Sequence, residues 1–158
     1  MSKAPFILAI ETSCDDTAAA VLQGNRVLSN CIANQEIHKQ YGGVVPELAS
    51  REHQSNIVPV IHQALRQANI EKKQIGAIAY TQGPGLLGSL LVGGSFAKSL
   101  AMAWQIPLLE IDHMQGHLLV HFIKEVHQNP PKFPFIGVTL SGGPVSYTHL
   151  TLPTILLV

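Results

Sequence analysis

Three short apolar runs open the chain, and a few polar or turn-forming residues separate each run from the next. The runs cover residues 5–11, 17–23 and 26–33, and only Gly24 and Asn25 separate the second from the third. Short apolar runs bounded by turn residues are typical of strands, and connections this short join antiparallel neighbours. The pattern therefore predicts a three-stranded antiparallel meander at the start of the chain.

A different periodicity begins at Pro46 and continues to residue 69. Apolar residues now recur at intervals of three and four, which is typical of one face of an amphipathic helix. The positions are Leu48, Ile57, Val60, Ile61, Ala64 and Leu65. Proline suits the first helical turn, so Pro46 marks the start, whereas Pro59 inside the pattern predicts a bend. Residues 38–43, just before this helix, are polar and glycine-rich and predict a loop.

Strand-like and helix-like segments alternate through the rest of the chain. The predicted strands are residues 75–81, 107–111 and 133–140, and the predicted helices are residues 85–104 and 113–127. This alternation predicts an α/β layer in which the later strands run parallel. An antiparallel meander followed by such an alternation is the element order of a ribonuclease-H-like lobe, the unit doubled in the actin, sugar-kinase and Hsp70 ATPase architecture. We therefore predict the α/β class, with a mixed five-stranded sheet and helices.

Composition and charge restrict the classes of protein that fit this pattern. With 46% hydrophobic and 13% charged residues over 158 positions, the chain is typical of one compact soluble domain. Ten basic residues balance ten acidic ones, so a nucleic-acid partner would have to be bound with the help of other chains. Two cysteines, Cys14 and Cys31, make no disulfide framework, and no apolar stretch reaches the roughly 18 residues of a membrane span. We expect a cytoplasmic protein with no membrane association.

Histidines stand at positions 113, 117 and 121, inside one predicted helix. Side chains four residues apart on a helix lie about 5–6 Å apart at Cβ, so His113 and His117 can bind one metal ion. His121 would lie about 12 Å along the helix axis from His113, too far to share that ion. A zinc peptidase of the familiar kind needs a glutamate directly after the first histidine, and Met114 stands there. From the spacing alone, a metal site and ordinary surface histidines both remain open.

Residues 80–94 carry a glycine pattern suited to phosphate binding. They read as a strand, a turn containing Gly83 and Gly85, and a helix, an arrangement that directs backbone N–H groups at an anion. The alternative is that the glycines of this segment serve only the turn and the close packing of the helix.

The turn between the first two strands is a second candidate for phosphate chemistry. The sequence ETSCDDT at residues 11–17 places Ser13 and Asp15 where phosphate-handling lobes face the nucleotide or its metal. The alternative is a simple turn in which Asp15 and Asp16 bond to their own backbone. Ser-Gly-Gly at residues 141–143, at the end of a predicted buried strand, is a further place where a ligand can approach the backbone.

Five motifs taken together point to one family. ETSCDDT, YGGVVPELASREH, YTQGPGLLGSLLVG, IDHMQGH and FPFIGVTLSGG occur in an order and spacing that closely resemble the tRNA threonylcarbamoyladenosine transferase family, formerly labelled an O-sialoglycoprotein endopeptidase. The resemblance covers residues 6–143 and implies an actin-like ATPase fold, with residues 1–143 as its amino-terminal lobe. The implied reaction moves a threonylcarbamoyl group from threonylcarbamoyl-adenylate to tRNA. The acceptor is N6 of the adenosine next to the anticodon, in tRNAs that read codons beginning with A.

The resemblance also implies roles for individual residues and partners. His113 and His117 match the two helix ligands of one divalent metal ion, iron or zinc, and His121 matches no ligand. The matches to the loop that contacts threonylcarbamoyl-adenylate are Thr139, Leu140, Ser141, Gly142 and Gly143. The candidates for facing phosphate or nucleotide are Ser13, Asp15, Gly83 and Gly85. The implied partners are tRNA, bound through the full complex, a shorter metal-free paralogue and a small ATPase.

The resemblance ends at Gly143, after which the chain reads PVSYTHLTLPTILLV. Because Pro144 lacks the N–H that a paired strand needs, we expect residues 144–158 to be a non-family tail that packs poorly. A second lobe with a third metal ligand would then be absent, and we expect this chain to be inactive alone. Two alternatives to the transferase remain: a non-catalytic lobe that binds a partner and, ranked low, a metallopeptidase.

Overall fold

A five-stranded mixed sheet forms the first part of the chain. The computed structural model describes residues 4–124, 129–139 and 146–150. The strands of this sheet are β1 (Phe6–Glu11), β2 (Thr17–Gln23), β3 (Arg26–Ala33), β4 (Ile75–Gly83) and β5 (Leu108–Asp112). Their order is β3-β2-β1-β4-β5; β2 is antiparallel to β1 and β3, and β4 is parallel to β1 and β5. The predicted meander and the parallel direction of β4 and β5 are confirmed.

Two long helices pack against this sheet. α1 (Pro46–Ala68) packs on β2 and β3, and α2 (Leu87–Trp104) packs on β4 and on α1. α1 begins at Pro46 as predicted and continues through Pro59, where the bend stays a prediction. The buried residues of α2 are all small: Ser89, Gly93, Gly94, Ala97 and Ala101. Within the described ranges, no helix is both long enough and apolar enough to cross a membrane.

The core of this part lies between the sheet and the two helices. Alternate residues of the strands contribute to it, for example Leu8 and Ile10 of β1, while α1 contributes the apolar face that its sequence predicts. Alternation of buried and less buried positions is expected where helices cover one face of a sheet. Leu8, Val21 and Ile78 are fully buried.

The segment before α1 differs from its prediction. Although residues 38–43 predict a loop, a 3-10 helix spans Glu36–Tyr41. The side chain of His38 is buried there and bonds to Oε1 of Gln35 at 2.7 Å. Hydrophobic periodicity does not report a local polar contact of this kind.

The predicted helix at residues 113–127 is shorter in the structure. α3 spans His113–Leu119, a 3-10 helix follows at Val120–Phe122, and Ile123 is already extended. β-branched and aromatic residues lose side-chain freedom in an α-helix, so this stretch has little intrinsic tendency to continue one. His121 therefore lies outside α3, and the expected placement of three histidines on one helix is wrong.

The chain divides into two compact units, Met1–His113 and Met114–Val158. In the second unit, β6 (Phe135–Thr139) pairs antiparallel with β7 (Ser146–Leu150) as a two-stranded sheet. The alternating pattern predicts a parallel strand at β6, and the observed antiparallel partner corrects that prediction. Leu118 packs closely on β6, since a Cβ added at Gly137 would meet its side chain. The poor packing of residues 144–158 stays a prediction.

Candidate active site

Three parallel strands end at one edge of the sheet, and their last residues mark the candidate site. β1 ends at Glu11, β4 at Gly83 and β5 at Asp112. In open α/β sheets, ligands bind outside the carboxyl ends of the strands, where the connecting loops lie. Residues 12–16 follow β1 directly, and His113 follows β5 directly. Acidic, hydroxyl and imidazole side chains that follow these strands in the sequence therefore lie at this edge.

Glu11 is the centre of a hydrogen-bond cluster at this edge. Its Oε1 accepts from the backbone N–H of Ser13, and its Oε2 accepts from the hydroxyl of Thr81 on β4. Burial opposes ionisation of this carboxyl, but hydrogen bonds from the side chain of Ser13, from Thr81 and from the Ser13 backbone outweigh it, and the pKa of Glu11 is lowered. The cluster is therefore built around a carboxylate.

One ring nitrogen of His113 contacts this cluster. Its Nδ1 lies 3.2 Å from Oγ of Ser13 and 3.5 Å from Oε2 of Glu11. The side chains of His113 and Glu11 are 30% and 36% exposed, so a ligand can reach them from solvent. An imidazole that bonds through one nitrogen to a fixed partner has a defined orientation, which is what metal ligation or proton transfer requires.

A buried histidine on α1 holds the loop of residues 12–16 in place. His53 has no exposed surface, and its Nε2 lies 3.0 Å from the carbonyl oxygen of Cys14. Because a carbonyl only accepts, Nε2 donates, and Nδ1 bonds to the hydroxyl of Thr17 at 2.7 Å. Ser89 of α2 donates to the same carbonyl of Cys14 at 3.0 Å. The loop is thus fixed by both helices.

Glycines bring α2 and the turn before it against the same loop. A Cβ at Gly85 would lie 2.8 Å from Cβ of Ser13, and one at Gly93 would meet the side chain of Thr12. The N–H of Leu86 donates to the carbonyl of Ser13 at 2.7 Å. These contacts support the structural alternative, with Gly85 serving the turn and Gly93 the close packing of the helix, while a phosphate-facing role for Gly83 and Gly85 stays a prediction.

The predicted site residues fall into three groups. Ser13 and His113 are in contact, and Gly85 packs on Ser13. Gly83 ends β4, Asp15 is half-buried in the loop after β1, His117 lies four residues after His113 on α3, and Thr139 ends β6. Leu140, Ser141, Gly142 and Gly143 lie outside the described residues.

Two residues of the cluster are absent from the sequence prediction. Glu11 and Thr81 stand at the carboxyl ends of parallel strands, β1 and β4, and Glu11 is the one acid of the run FILAIE. An acid that interrupts an apolar strand at its carboxyl end was the available signal, because that end is where sites form in this fold class.

The donor groups on α3 fit part of a metal site. His113 and His117 are imidazoles at the i, i+4 spacing that suits one ion, and imidazole is a common ligand of zinc and iron. Among the residues that the structure describes, no group of three or more His, Cys, Asp or Glu side chains is arranged to hold a metal ion. The described part of the chain therefore offers two candidate protein ligands.

Comparison with known proteins assigns the family. The sequence model of the family described as tRNA N6-adenosine threonylcarbamoyltransferase matches residues 26–149. The chain belongs to the tRNA N6-adenosine threonylcarbamoyltransferase family. The resemblance drawn from the five motifs is thus confirmed, and the match extends six residues beyond Gly143.

Curated relatives in this family are much longer than the chain. The tRNA N6-adenosine threonylcarbamoyltransferase of Christiangramia forsetii is 65% identical over 145 residues, which are 92% of this chain and 43% of the relative. The enzyme of the same description from Riemerella anatipestifer is 61% identical over 141 residues, 89% of this chain and 41% of the relative. The chain thus spans about two fifths of the length of these transferases.

Two solved structures share the fold. One is described as YeaZ from Pseudomonas aeruginosa. The structural match covers 68% of this chain and 43% of the YeaZ chain, with a TM-score of 0.50 and 23% sequence identity. The other is a protein described as having similarity to the peptidase YEAZ from Pseudomonas aeruginosa. This match covers 93% of the present chain and 67% of the solved chain, with a TM-score of 0.58 and 19% sequence identity. These likenesses confirm the predicted α/β lobe of the actin-like ATPase fold.

Proposed function

We propose that this chain supplies the metal-binding helix and the strand-end edge of a tRNA threonylcarbamoyl transferase. The whole protein would move the threonylcarbamoyl group from threonylcarbamoyl-adenylate to N6 of the adenosine next to the anticodon, in tRNAs reading codons that begin with A. The observation that carries the proposal is the position of His113, which starts α3 and is bonded at Nδ1 by Ser13 beside the carboxylate of Glu11. A metallopeptidase is disfavoured, because Met114 stands where such an enzyme needs its glutamate.

Each candidate residue has a role in this proposal. His113 and His117 would hold one divalent ion, iron or zinc, which when bound supplies Lewis acidity toward carbamoyl or phosphate oxygens. Backbone N–H groups from Thr139 to Gly143 would bind the phosphate of the adenylate. Ser13, Asp15, Gly83 and Gly85 would face the nucleotide or its phosphate.

The rigid loop after β1 suits a group-transfer enzyme. Transfer to N6 requires the acyl carbon and the acceptor nitrogen to be held close together, and small displacements of the groups that position them are costly in rate. His53 and Ser89 hold the carbonyl of Cys14 from two helices, so the position of Ser13 next to it is fixed before a substrate binds. The chain's own contribution is therefore orientation of His113 and of the substrate-facing loop.

A segment exchange tests the proposed activity. Residues 6–143 would replace the matching segment of the Christiangramia forsetii transferase, and the hybrid would be assayed with tRNA, threonylcarbamoyl-adenylate and that organism's partner proteins. We expect modified adenosine well above the no-enzyme blank. The 158 residues alone form a second arm, where we expect no product. A folded hybrid that forms none would contradict the proposal.

Partner binding is a second candidate function, favoured by a groove between α1 and α2. The groove has a volume of about 660 Å³ and an apolar floor that includes Val58, Leu91 and Phe96. Val58 and Leu91 are more than half exposed, although both are large apolar residues. Exposed apolar patches with a polar rim mark sites of protein association. We propose the shorter metal-free paralogue as the occupant, and calorimetric titration with that protein tests it.

The remaining partners follow from the same proposal. tRNA would be bound through a complex that includes the shorter paralogue and a small ATPase, because the even charge of this chain gives little attraction for phosphates by itself. A cytoplasmic location is proposed on the same ground, since tRNA is the substrate.

A further inference from the structure

Two side chains face the same nitrogen of His113, and neither is a proposed metal ligand. Glu11 ends β1 and Ser13 follows two residues later, both in the same compact unit as His113. We propose that Glu11, acting with Ser13, is a positioning residue that holds His113 in its Nδ1–H form, with Nε2 as the nitrogen that binds the metal. This inference rests on the metal role proposed for His113.

The position of the ring hydrogen follows from what each group can donate. A carboxylate only accepts, and Oε2 of Glu11 lies 3.5 Å from Nδ1 of His113, so a hydrogen between these two atoms belongs to Nδ1. The hydroxyl oxygen of Ser13, 3.2 Å from the same nitrogen, has lone pairs that can accept that hydrogen as well. Both groups on this side of the ring therefore favour the hydrogen on Nδ1. A neutral imidazole with this hydrogen has its lone pair on Nε2.

Glu11 can orient its neighbour because it is itself held. One carboxylate oxygen accepts from the backbone of Ser13 and the other from the hydroxyl of Thr81. Ser13 is fixed in turn, since its carbonyl accepts from the N–H of Leu86 at 2.7 Å. A series of polar contacts runs from Thr81 through Glu11 and Ser13 to His113. It thus connects β4, β1 and the start of α3.

Loss of Glu11 or Ser13 should lower the affinity for the metal without changing which residues bind it. Groups that hold the far nitrogen of a ligating histidine fix its tautomer and ring orientation, and their loss typically weakens metal binding about 10- to 100-fold. Removing Glu11 or Ser13 should therefore weaken metal binding although both proposed helix ligands remain. A residue that served only the packing of the loop would change stability and leave the tautomer of His113 unchanged.

The first measurement is the tautomer of His113 in the metal-free chain. Nitrogen-15 shifts and long-range proton couplings of the ring would be recorded at alkaline pH, where free imidazole is neutral. We expect Nδ1–H in the wild type and a gain of the Nε2–H form in Glu11→Ala and in Ser13→Ala. Glu36→Ala, which removes an exposed carboxylate elsewhere, is the matched control and should leave the tautomer unchanged. An Nε2–H ring in the wild type would overturn the inference.

The second measurement is Zn²⁺ affinity, by competition with a chromophoric chelator. We expect a loss of roughly 10- to 100-fold in Glu11→Ala and Ser13→Ala and none in Glu36→Ala. Glu11→Gln keeps the shape and one acceptor oxygen, so it should recover part of the affinity and serves if Glu11→Ala does not fold. Unchanged affinity in folded Glu11 and Ser13 variants, with a loss in His113→Ala, would overturn this inference alone. Unchanged affinity in His113→Ala as well would remove the proposed metal role.

Discussion

The hydroxyl oxygen of Ser13 lies 3.2 Å from Nδ1 of His113, although 100 residues separate the two in the chain. The contact joins the loop after the first strand to the start of the short helix that follows the last strand of the sheet. It exists because β1, β4 and β5 are parallel neighbours and so end at one edge. The candidate site is therefore a consequence of strand order, and changes that disturb the strand ends should disturb it.

His53→Ala should destabilise the chain by about 2–4 kcal/mol. The substitution leaves a cavity between α1 and β2 and deprives the buried hydroxyl of Thr17 of its partner. His62→Ala, an exposed histidine on the same helix, is the control and should change the free energy of unfolding by less than about 0.5 kcal/mol. Urea unfolding followed by circular dichroism measures both, and equal stabilities would contradict the role given to His53.

Gly93→Ala and Gly116→Ala should change the free energy of unfolding in opposite directions. A Cβ at Gly93 would meet the side chain of Thr12, so we expect a loss of about 1–2 kcal/mol after the gain in helix propensity is counted. Gly116 lies in α3 with nothing near its added Cβ, so alanine there should stabilise by up to about 1 kcal/mol. Thermal unfolding of the two variants side by side checks the difference, and a stabilised Gly93→Ala would show that α2 packs less closely than described.

Much of the fold was predictable because hydrophobic periodicity reports which face of an element is buried. The strands β1 to β3 and the helix α1 follow that pattern within a residue or two. α3 is shorter than the pattern predicts. The histidine spacing and the apolar residues favour a continued helix, but residues 120–123 have low helical propensity and α3 ends before them. The direction of β6 depends on its partner β7, and periodicity within one strand does not specify a partner.

The candidate site was predictable only in part, for a related reason. The spacing of His113 and His117 is local and can be read along one helix. The contact of His113 with Ser13 and Glu11 depends on which strands are neighbours, which a motif within one segment does not contain. An acid at the carboxyl end of an apolar strand, as at Glu11, becomes informative only once the parallel strand order is known.

Gly85→Ala should weaken Zn²⁺ binding without touching a proposed ligand. The new Cβ would press on the backbone and side chain of Ser13, and so displace the hydroxyl from His113. We expect affinity to fall by up to about 10-fold, less than for Ser13→Ala. Gly43→Ala, where nothing lies near the added Cβ, is the control. If both glycine variants bind Zn²⁺ as the wild type does, Gly85 does not support the position of Ser13.

Leu91→Glu should abolish binding of the shorter paralogue if that protein occupies the groove between α1 and α2. The substitution places a charge on the apolar floor of the groove, where burial on binding would be costly. Met102→Glu introduces the same charge at an exposed position of α2 outside the groove and should leave binding intact. Calorimetric titration compares the two, and equal binding would place the partner elsewhere.

Single-turnover transfer by the hybrid enzyme tests most directly whether the histidine pair of α3 serves a transferase that modifies tRNA, as proposed. The hybrid carries residues 6–143 in the Christiangramia forsetii background, and its His117→Ala and His121→Ala variants differ only in whether the lost imidazole lies on α3. We expect loss of a ligand to reduce the yield of modified adenosine by at least about 10-fold in His117→Ala. His121→Ala should modify tRNA as well as the unsubstituted hybrid does. Full activity in His117→Ala, or equal losses in both variants, would contradict that role of the histidine pair.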